Sequence, residues 1–586
     1  MILLEHFKAQ APHLRRLQLR EVERASEIML AASVGLDGAL KSLATSTEAE
    51  ANKFTAAFHP YLQEYFAWLR FVVGAEGLLP DSPPTKVASF TATRVFTLFK
   101  AGLCNTDDPD ILECILDMAL FLFMDTTLWK WQKVKAFTQE QYQTIVAPKF
   151  VPLEFCLCYP STQAALYKKL NLATTELLKH LCDTFSRQCS ECVAGFPKDT
   201  PGLDCTTFSS YVHNAFILCH KVPRFFKLML KSRFPVLALK AALSFPLAPA
   251  CNLPRGSLAL ETASAMFYTE ILLMDNSRHL IVQLLEAGLV ETLVNDLLSP
   301  RGEGKEGKVF EEWTFHYPDM SPLKALMYAS YDPHIANALH VAIMAIPPRT
   351  MSNSTAYDIW RRFVDNFGFH RDALRRLPND HIPLCDSLKH PSVSKAGGLG
   401  VQASKECSGC HTTLYCSTEC QREDWSSLHR EECTRSRVEL IDRQLKGSSI
   451  SHRTRLYNLL HLEAIMHQIA SQRGGTSDEW RSKPVCIVDA SFYPVSMAFG
   501  TVETLATFNT QFGFKLFDCA RSRAMLRQVE EGDSTVLAVC ISAFGRCGVF
   551  TFARFEMDGS SMTLHLQGGF CRAIDASDIG RDYLNI

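Results

Sequence analysis

Five cysteines and one histidine between residues 407 and 433 stand at spacings that metal ligands use. One pair of cysteines is separated by two residues, a turn in which two thiolates hold one ion. The other two pairs are each separated by three residues, so the members of each pair share one helical face. The pairs are Cys407 with Cys410, Cys416 with Cys420, and His429 with Cys433. Thiolates and an imidazole in this arrangement favour zinc.

Six ligands do not fill tetrahedral sites, because one zinc ion needs four and two ions need eight. Either two of the six residues bind no metal, or two further ligands lie elsewhere in the chain. The count alone leaves both alternatives open. Another pair of cysteines, Cys189 and Cys192, has the same two-residue separation but lacks a matching second pair, so we expect ordinary thiols there.

The spacing of the six residues, together with Tyr415, Gln421 and Trp425, closely resembles the MYND zinc finger. In that family two zinc ions are bound by interleaved pairs, the first with the third and the second with the fourth. The resemblance implies that one zinc ion is held by Cys407, Cys410, His429 and Cys433. Cys416 and Cys420 then require a partner pair upstream.

The upstream pair departs from the usual family pattern of two cysteines. The segment HIPLCDSLKH, residues 381–390, offers Cys385 and His390 instead, with His381 as a further candidate. A large group of fungal MYND proteins has a similar arrangement. We therefore predict a second zinc ion on Cys385, His390, Cys416 and Cys420. Three cysteines and one histidine are an ordinary zinc site.

Two closed sites have structural roles, because four protein ligands leave no position for a substrate or an activated water. Each zinc ion should supply on the order of 10 kcal/mol of folding free energy. The resemblance also implies a protein-interaction module that binds short proline-containing peptides. Gln421 and Trp425 match the family positions that contact such a peptide. These two residues share a helical face, and an indole gives proline a flat apolar surface. Trp425 could equally be a core residue of the finger.

The segment from Lys405 to Glu439 carries five Lys or Arg against seven acids, which disfavours phosphate binding and thus nucleic acid. MYND fingers also occur in SET-type lysine methyltransferases, the alternative class for this chain. Residues 434–586 lack an NHSC-like stretch and a tyrosine-bearing segment of that type. We therefore expect a protein-interaction adaptor or scaffold and no enzyme.

The whole chain has 586 residues, a net charge of −2 and 47% hydrophobic residues, which is typical of a soluble protein with several domains. Charges interrupt its long apolar runs, so we expect no membrane span, and its N-terminus lacks a secretory signal. The 21 cysteines are an odd number and are mostly scattered in apolar segments. This usage favours an intracellular location, cytoplasm or nucleus.

The chain is predicted to be mainly α, with a zinc finger and an α+β domain at the end. Residues 1–375 form a helical scaffold, 380–434 the finger, 435–475 a helical connector and 483–586 a small α+β domain. Within 277–300, two apolar helical segments are separated by Gly288, which is expected to cap the first helix. This resembles the junction between the helices of armadillo or HEAT repeats. No fixed period is visible, so an irregular helical domain is an equal alternative.

Overall fold

The computed structural model describes the following residues of the chain: 53, 56–57, 109–124, 153–154, 156–194, 205–244, 257–267, 278–297, 321–346, 355–379, 381–389, 404–446, 448–473, 480, 482–490, 495–511, 520–532, 535–544, 547–557 and 564–575. The chain divides into two compact units, Met1–Ala265 and Met266–Ile586. The predicted ligand His390 lies outside the described residues.

The described part of the first unit is helical. Its helices are α1 Pro109–Met124, α2 Pro160–Leu172, α3 Thr175–Ala194, α4 Cys205–Lys221, α5 Pro223–Lys231, α6 Phe234–Ser244 and α7 Ser257–Phe267, which ends just beyond the unit boundary. Phe185 of α3 lies at the centre of an aromatic core, with ring centroids 4.6 Å from Phe123 and 5.1 Å from Tyr211. The Tyr211 hydroxyl donates to the Phe185 carbonyl at 2.7 Å, so its polar end is satisfied inside the core.

In the described residues, five helices begin the second unit: α8 Arg278–Glu286, α9 Leu289–Leu297, α10 Pro322–Ala329, α11 Pro333–Met344 and α12 Thr355–Arg376. Gly288 separates α8 from α9 with φ of 100°, and its N–H donates to the Leu285 carbonyl at 3.2 Å. This left-handed cap confirms the predicted role of Gly288. An armadillo or HEAT repeat remains a prediction.

The cysteine-rich segment consists of short elements. A two-residue hairpin, β1 Lys405–Glu406 with β2 Leu414–Tyr415, precedes helix α13 Thr418–Asp424. A π-helical turn, Trp425–His429, joins α13 to α14 Arg430–Lys446, and α15 His452–Arg473 follows. Two helices therefore follow the π-helical turn.

The C-terminal region contains a five-stranded sheet in the order β4-β3-β5-β6-β7. Only β3 and β5 are parallel, and helices α16 and α17 lie between them in sequence. The bounds are β3 Val485–Asp489, β4 Ser496–Gly500, α16 Val502–Gln511, α17 Ala520–Glu531, β5 Thr535–Phe544, β6 Cys547–Met557 and β7 Leu564–Asp575. The region thus contains both strands and helices, and β3 and β4 are its shortest strands.

Alternate residues of each strand face opposite sides of the sheet. Helices pack against both sides, so the sheet lies between two helical layers. Cys486 and Val488 of β3 pack with α15, whereas Val485 and Ile487 pack with α16 and α17. Helix α15 is buried over most of its length and contributes to the core on this side of the sheet. Within the described ranges, no helix is long and apolar enough to cross a membrane.

Candidate metal centre

Four of the predicted ligands converge on one point in the second unit. The ligand atoms of Cys407, Cys410, His429 and Cys433 all lie within 4.8 Å of one another. His429 Nε2 is 3.3 Å from Cys407 Sγ and 3.5 Å from Cys410 Sγ, and Cys407 Sγ is 4.0 Å from Cys433 Sγ. Ordinary bond lengths in a tetrahedral zinc site separate two sulfurs by ~3.8 Å and a sulfur from a nitrogen by ~3.6 Å. These four residues therefore fit a zinc ion.

A second group contains three cysteines, Cys385, Cys416 and Cys420, whose sulfurs again lie within 4.8 Å of one another. Cys416 Sγ is 3.6 Å from Cys420 Sγ, a separation that a shared zinc ion would produce. His381 is described and is not part of this group. The structure thus brings Cys385, from upstream, to the pair that lacked partners in the cysteine-rich segment.

The turn from Cys407 to Cys410 passes close to the opposite candidate ligand, Cys433. His411 N–H donates to the Cys407 carbonyl at 2.9 Å, and His411 has a left-handed φ of 60°. A Cβ at Gly409 would lie 2.9 Å from Cys433 Sγ, closer than such atoms approach. Only glycine fits between the turn and the opposite ligand.

The second and third ligand pairs are positioned by helices. The Ser417 side chain accepts from Cys420 N–H at 3.2 Å and caps α13. The π-helical turn then inserts extra backbone between Trp425 and His429. Such turns are frequent at functional sites, and here the turn leads to the ligating His429.

Hydrogen bonding makes the first group suitable for a cation. Burial opposes charge on Cys410, but donors from His429 and Thr412 outweigh it and lower the pKa of Cys410 to about 5. Burial likewise opposes charge on His429, but Cys410 and Cys407 raise the pKa of His429 to about 9. Either a proton on His429 or a zinc ion would balance the negative charge of these thiolates. Zinc binding would therefore displace the proton from His429.

In the second group burial dominates, as it also does at Cys433 of the first group, where it raises the pKa to about 12. Burial raises the pKa of Cys385, backbone hydrogen bonds from Cys416 and Ser387 offset this only in part, and the neighbouring thiols of Cys416 and Cys420 add to the rise. Burial and the neighbouring Cys420 also raise the pKa of Cys416. Three crowded thiols without a cationic neighbour in the group become thiolates when a metal ion supplies the positive charge.

Of the two predicted peptide-contacting residues, Trp425 contacts a member of the first group, and Gln421 directly follows Cys420 of the second. The Trp425 side chain is 43% exposed, and its ring is 5.7 Å from the His429 ring in an edge contact. Gln421 is half-buried on α13, one helical turn before Trp425. The indole therefore has one edge against a ligand and a free surface.

A buried ionic network joins the finger to the sheet region. The Arg521 guanidinium donates to both carboxylate oxygens of Asp424, at 3.0 and 2.8 Å, and also to Glu432 at 3.0 and 3.2 Å. Tyr415 donates to Asp424 at 2.7 Å. Although Arg521 is buried, these carboxylates raise its pKa and keep it charged.

Asp386, the residue after Cys385, forms a second anchor. Its carboxylate accepts from Arg455 of α15 at 2.6 Å and from Leu414 N–H at 2.7 Å. Its own N–H donates to the Leu414 carbonyl at 2.8 Å. The upstream segment is thereby fixed beside β2, which holds Cys385 near Cys416 and Cys420.

The cysteines are recognisable from the sequence alone, whereas the charged anchors are not: Asp386, Asp424, Arg455 and Arg521. One local feature could have drawn attention to Asp424: this acid immediately precedes Trp425, at the end of a mostly charged stretch of α13. Its burial depends on Arg521, which is distant in sequence, and no local pattern reveals that pairing.

Comparison with known proteins identifies the cysteine-rich segment. The family model of the MYND finger matches residues 395–433. A segment of 59 residues is 37% identical to Protein CBFA2T2 of Xenopus laevis and covers 10% of each chain. The match thus spans about a tenth of that relative's length, and no solved structure matches the chain. The chain therefore contains a MYND finger, and the structure places there one group of three cysteines and a histidine and, with Cys385, a second group of three cysteines, which supports zinc binding.

Proposed function

We propose that the finger binds short proline-containing peptides on a face formed by Gln421 and Trp425, and that the chain acts as an adaptor. The observation that carries this proposal is the exposure of the Trp425 indole, 43% of its surface, beside a ligand of the metal centre. An exposed tryptophan is unfavourable in isolation and is typical of binding surfaces, where it becomes a buried anchor.

The neighbourhood of Trp425 suits a proline-containing peptide. An indole provides a flat apolar surface for a pyrrolidine ring, and an extended proline-rich segment loses little entropy on binding. The Gln421 side chain has no hydrogen-bond partner within the described residues, so its amide is free to pair with the peptide backbone. The Trp425 ring contacts the His429 ring at 5.7 Å between ring centroids, and Gln421 lies on α13, one helical turn before Trp425.

The proposal includes two structural zinc ions. Cys407, Cys410, His429 and Cys433 would hold one, and Cys385, Cys416, Cys420 and His390 the other. Both proposed ligand sets would be complete without water, which supports a structural role for the zinc ions. We propose no catalytic role for the chain. An excess of acids in the finger supports protein rather than nucleic acid as its partner.

The attachment of the finger supports an adaptor role. Arg521 and Arg455 bind it to the α17 and α15 sides of the sheet region through buried ion pairs. A peptide on Trp425 would therefore be held in a fixed orientation relative to this region. The described cysteines are all free of disulfides, which supports an intracellular location, in cytoplasm or nucleus.

Peptide binding by the full chain tests the proposal. An array of short proline-containing peptides, each paired with its proline-to-alanine twin, is probed with wild type, Trp425→Ala and Gln421→Ala. Leu445→Ala is the matched control, because Leu445 is 83% exposed on α14 and lies outside the proposed face. We expect binding that requires proline, falls at least tenfold in Trp425→Ala and persists in Leu445→Ala. Equal binding by wild type and Trp425→Ala would overturn the proposal.

A further inference from the structure

A groove in the helical part of the second unit lies apart from the finger. It has a volume of about 720 Å³ and is lined by α8, α9, α11, the end of α12 and Arg453 of α15. This volume is in the range of binding sites for small ligands and peptide segments. Alanines at positions 338 and 342 of α11 line it, and their small side chains leave the space open.

The groove combines an apolar floor with an exposed apolar wall. Leu285 of α8 and Leu377 after α12 are buried in the floor. Val341 of α11 lines the groove and is 61% exposed. Apolar surface that is open to solvent in a concave site favours a partner that covers it.

The charges of the lining favour a basic partner. Glu286, the last residue of α8, and Glu291, in the first turn of α9, are exposed and lie on either side of the Gly288 cap. Neither carboxylate has an ion pair or hydrogen bond within the part of the chain that the structure describes. The one guanidinium of the lining, Arg453, donates to the carbonyls of Pro378 and Asn379 at 2.8 and 3.4 Å.

Amide groups on the groove suit a peptide backbone. Asn337 of α11 and Asn379 after α12 are exposed residues of the lining, and the described residues provide no partner for either side-chain amide. An asparagine amide both donates and accepts, as a peptide group does. We infer that this groove binds a peptide segment of another protein that carries leucine-like and lysine- or arginine-like side chains.

Two synthetic probes test the inference on the full chain. One is a fluorescein-labelled, proline-free decapeptide that repeats Leu-Lys-Ser, and the other is its twin with Glu in place of Lys. Fluorescence anisotropy gives their dissociation constants for wild type, for the double variant Glu286→Lys/Glu291→Lys, and for Ala338→Trp, which fills the groove. The matched control is Glu530→Lys/Glu531→Lys, the same charge change on two exposed residues of α17.

We expect the lysine peptide to bind wild type and the α17 control equally, and at least tenfold more weakly to both groove variants. The glutamate twin should gain affinity for Glu286→Lys/Glu291→Lys. Absence of lysine-peptide binding to wild type, or an equal loss in the α17 control, would overturn the inference. Trp425→Ala should leave this binding unchanged, so its result is independent of the proline-peptide proposal. Should Ala338→Trp fail to fold, the exposed charge variants still decide the outcome.

Discussion

The Arg521 guanidinium lies in a forked pair with the Asp424 carboxylate, with hydrogen bonds of 3.0 and 2.8 Å between residues 97 positions apart. Both side chains are almost completely buried. Asp424 immediately precedes Trp425, and Arg521 is in the first turn of α17 beside the sheet. The finger is therefore an integrated part of the second unit, and its stability should depend on a residue outside it.

Replacement of Arg521 by Met should destabilise the second unit by about 3–5 kcal/mol, because the variant leaves the Asp424 charge buried without its partner. Urea unfolding of the zinc-loaded chain measures this loss. The double variant Arg521→Met/Asp424→Asn should lose less than the sum of the single variants, since it removes the uncompensated charge.

Arg523→Ala is the control for this series, because Arg523 lies on the same helix and is exposed. It should change stability by no more than about 0.5 kcal/mol. If Arg521→Met were as stable as Arg523→Ala, the anchoring role of the pair would be wrong.

Gly409→Ala should weaken zinc binding at the first group, because the added Cβ would meet Cys433 Sγ at 2.9 Å. We expect a loss of roughly 10- to 100-fold in affinity, the range seen when the surroundings of metal ligands are disturbed. Competition with a chromophoric chelator measures the change. Gly368→Ala is the matched control, since its Cβ would meet only the Arg371 side chain at 3.9 Å. Equal zinc affinity in the two variants would contradict the close approach.

The second unit should lose stability as the pH falls below 6.5. Burial lowers the pKa of His461 to about 3 and, together with the neighbouring His461, lowers that of His370 well below its usual range. Both rings are neutral in the fold but take up a proton on unfolding below pH 6.5. Each contributes a loss of up to ~1.4 kcal/mol per pH unit between that value and its folded-state pKa.

His461→Phe keeps a ring against Tyr331 and His370 but removes one titrating group. Its stability should therefore fall less steeply with decreasing pH than that of wild type. Unfolding is measured at several pH values at which elemental analysis shows that zinc is retained. Parallel profiles for wild type and variant would show that His461 does not contribute.

The metal-ligand pairs could be predicted from sequence because each pair lies within one turn or helix. Cys416 and Cys420 are one helical turn apart, and Ser417 supplies a recognisable cap. The upstream Cys385 could be proposed because the ligand count was incomplete. Such features depend on residues that are neighbours in the chain.

The anchors of the finger could not be predicted, because they join residues that are far apart in sequence. Arg455 appears as one charge in a helix, and its burial follows from the position of α15 between the finger and the sheet. Strand β4 is hard to predict for a different reason. A half-buried strand is marked by alternating buried and exposed residues, whereas the first three residues of β4 are all exposed.

Zinc content per chain tests the central claim most directly. Elemental analysis of anaerobically purified wild type should give about two zinc ions, one for each closed set of four ligands. Cys385→Ser, His390→Ala and Cys407→Ser should each reduce this number to about one, while Cys571→Ser, a thiol outside both groups, should retain about two. A single zinc ion in wild type, unchanged in Cys385→Ser, would contradict the two-site finger.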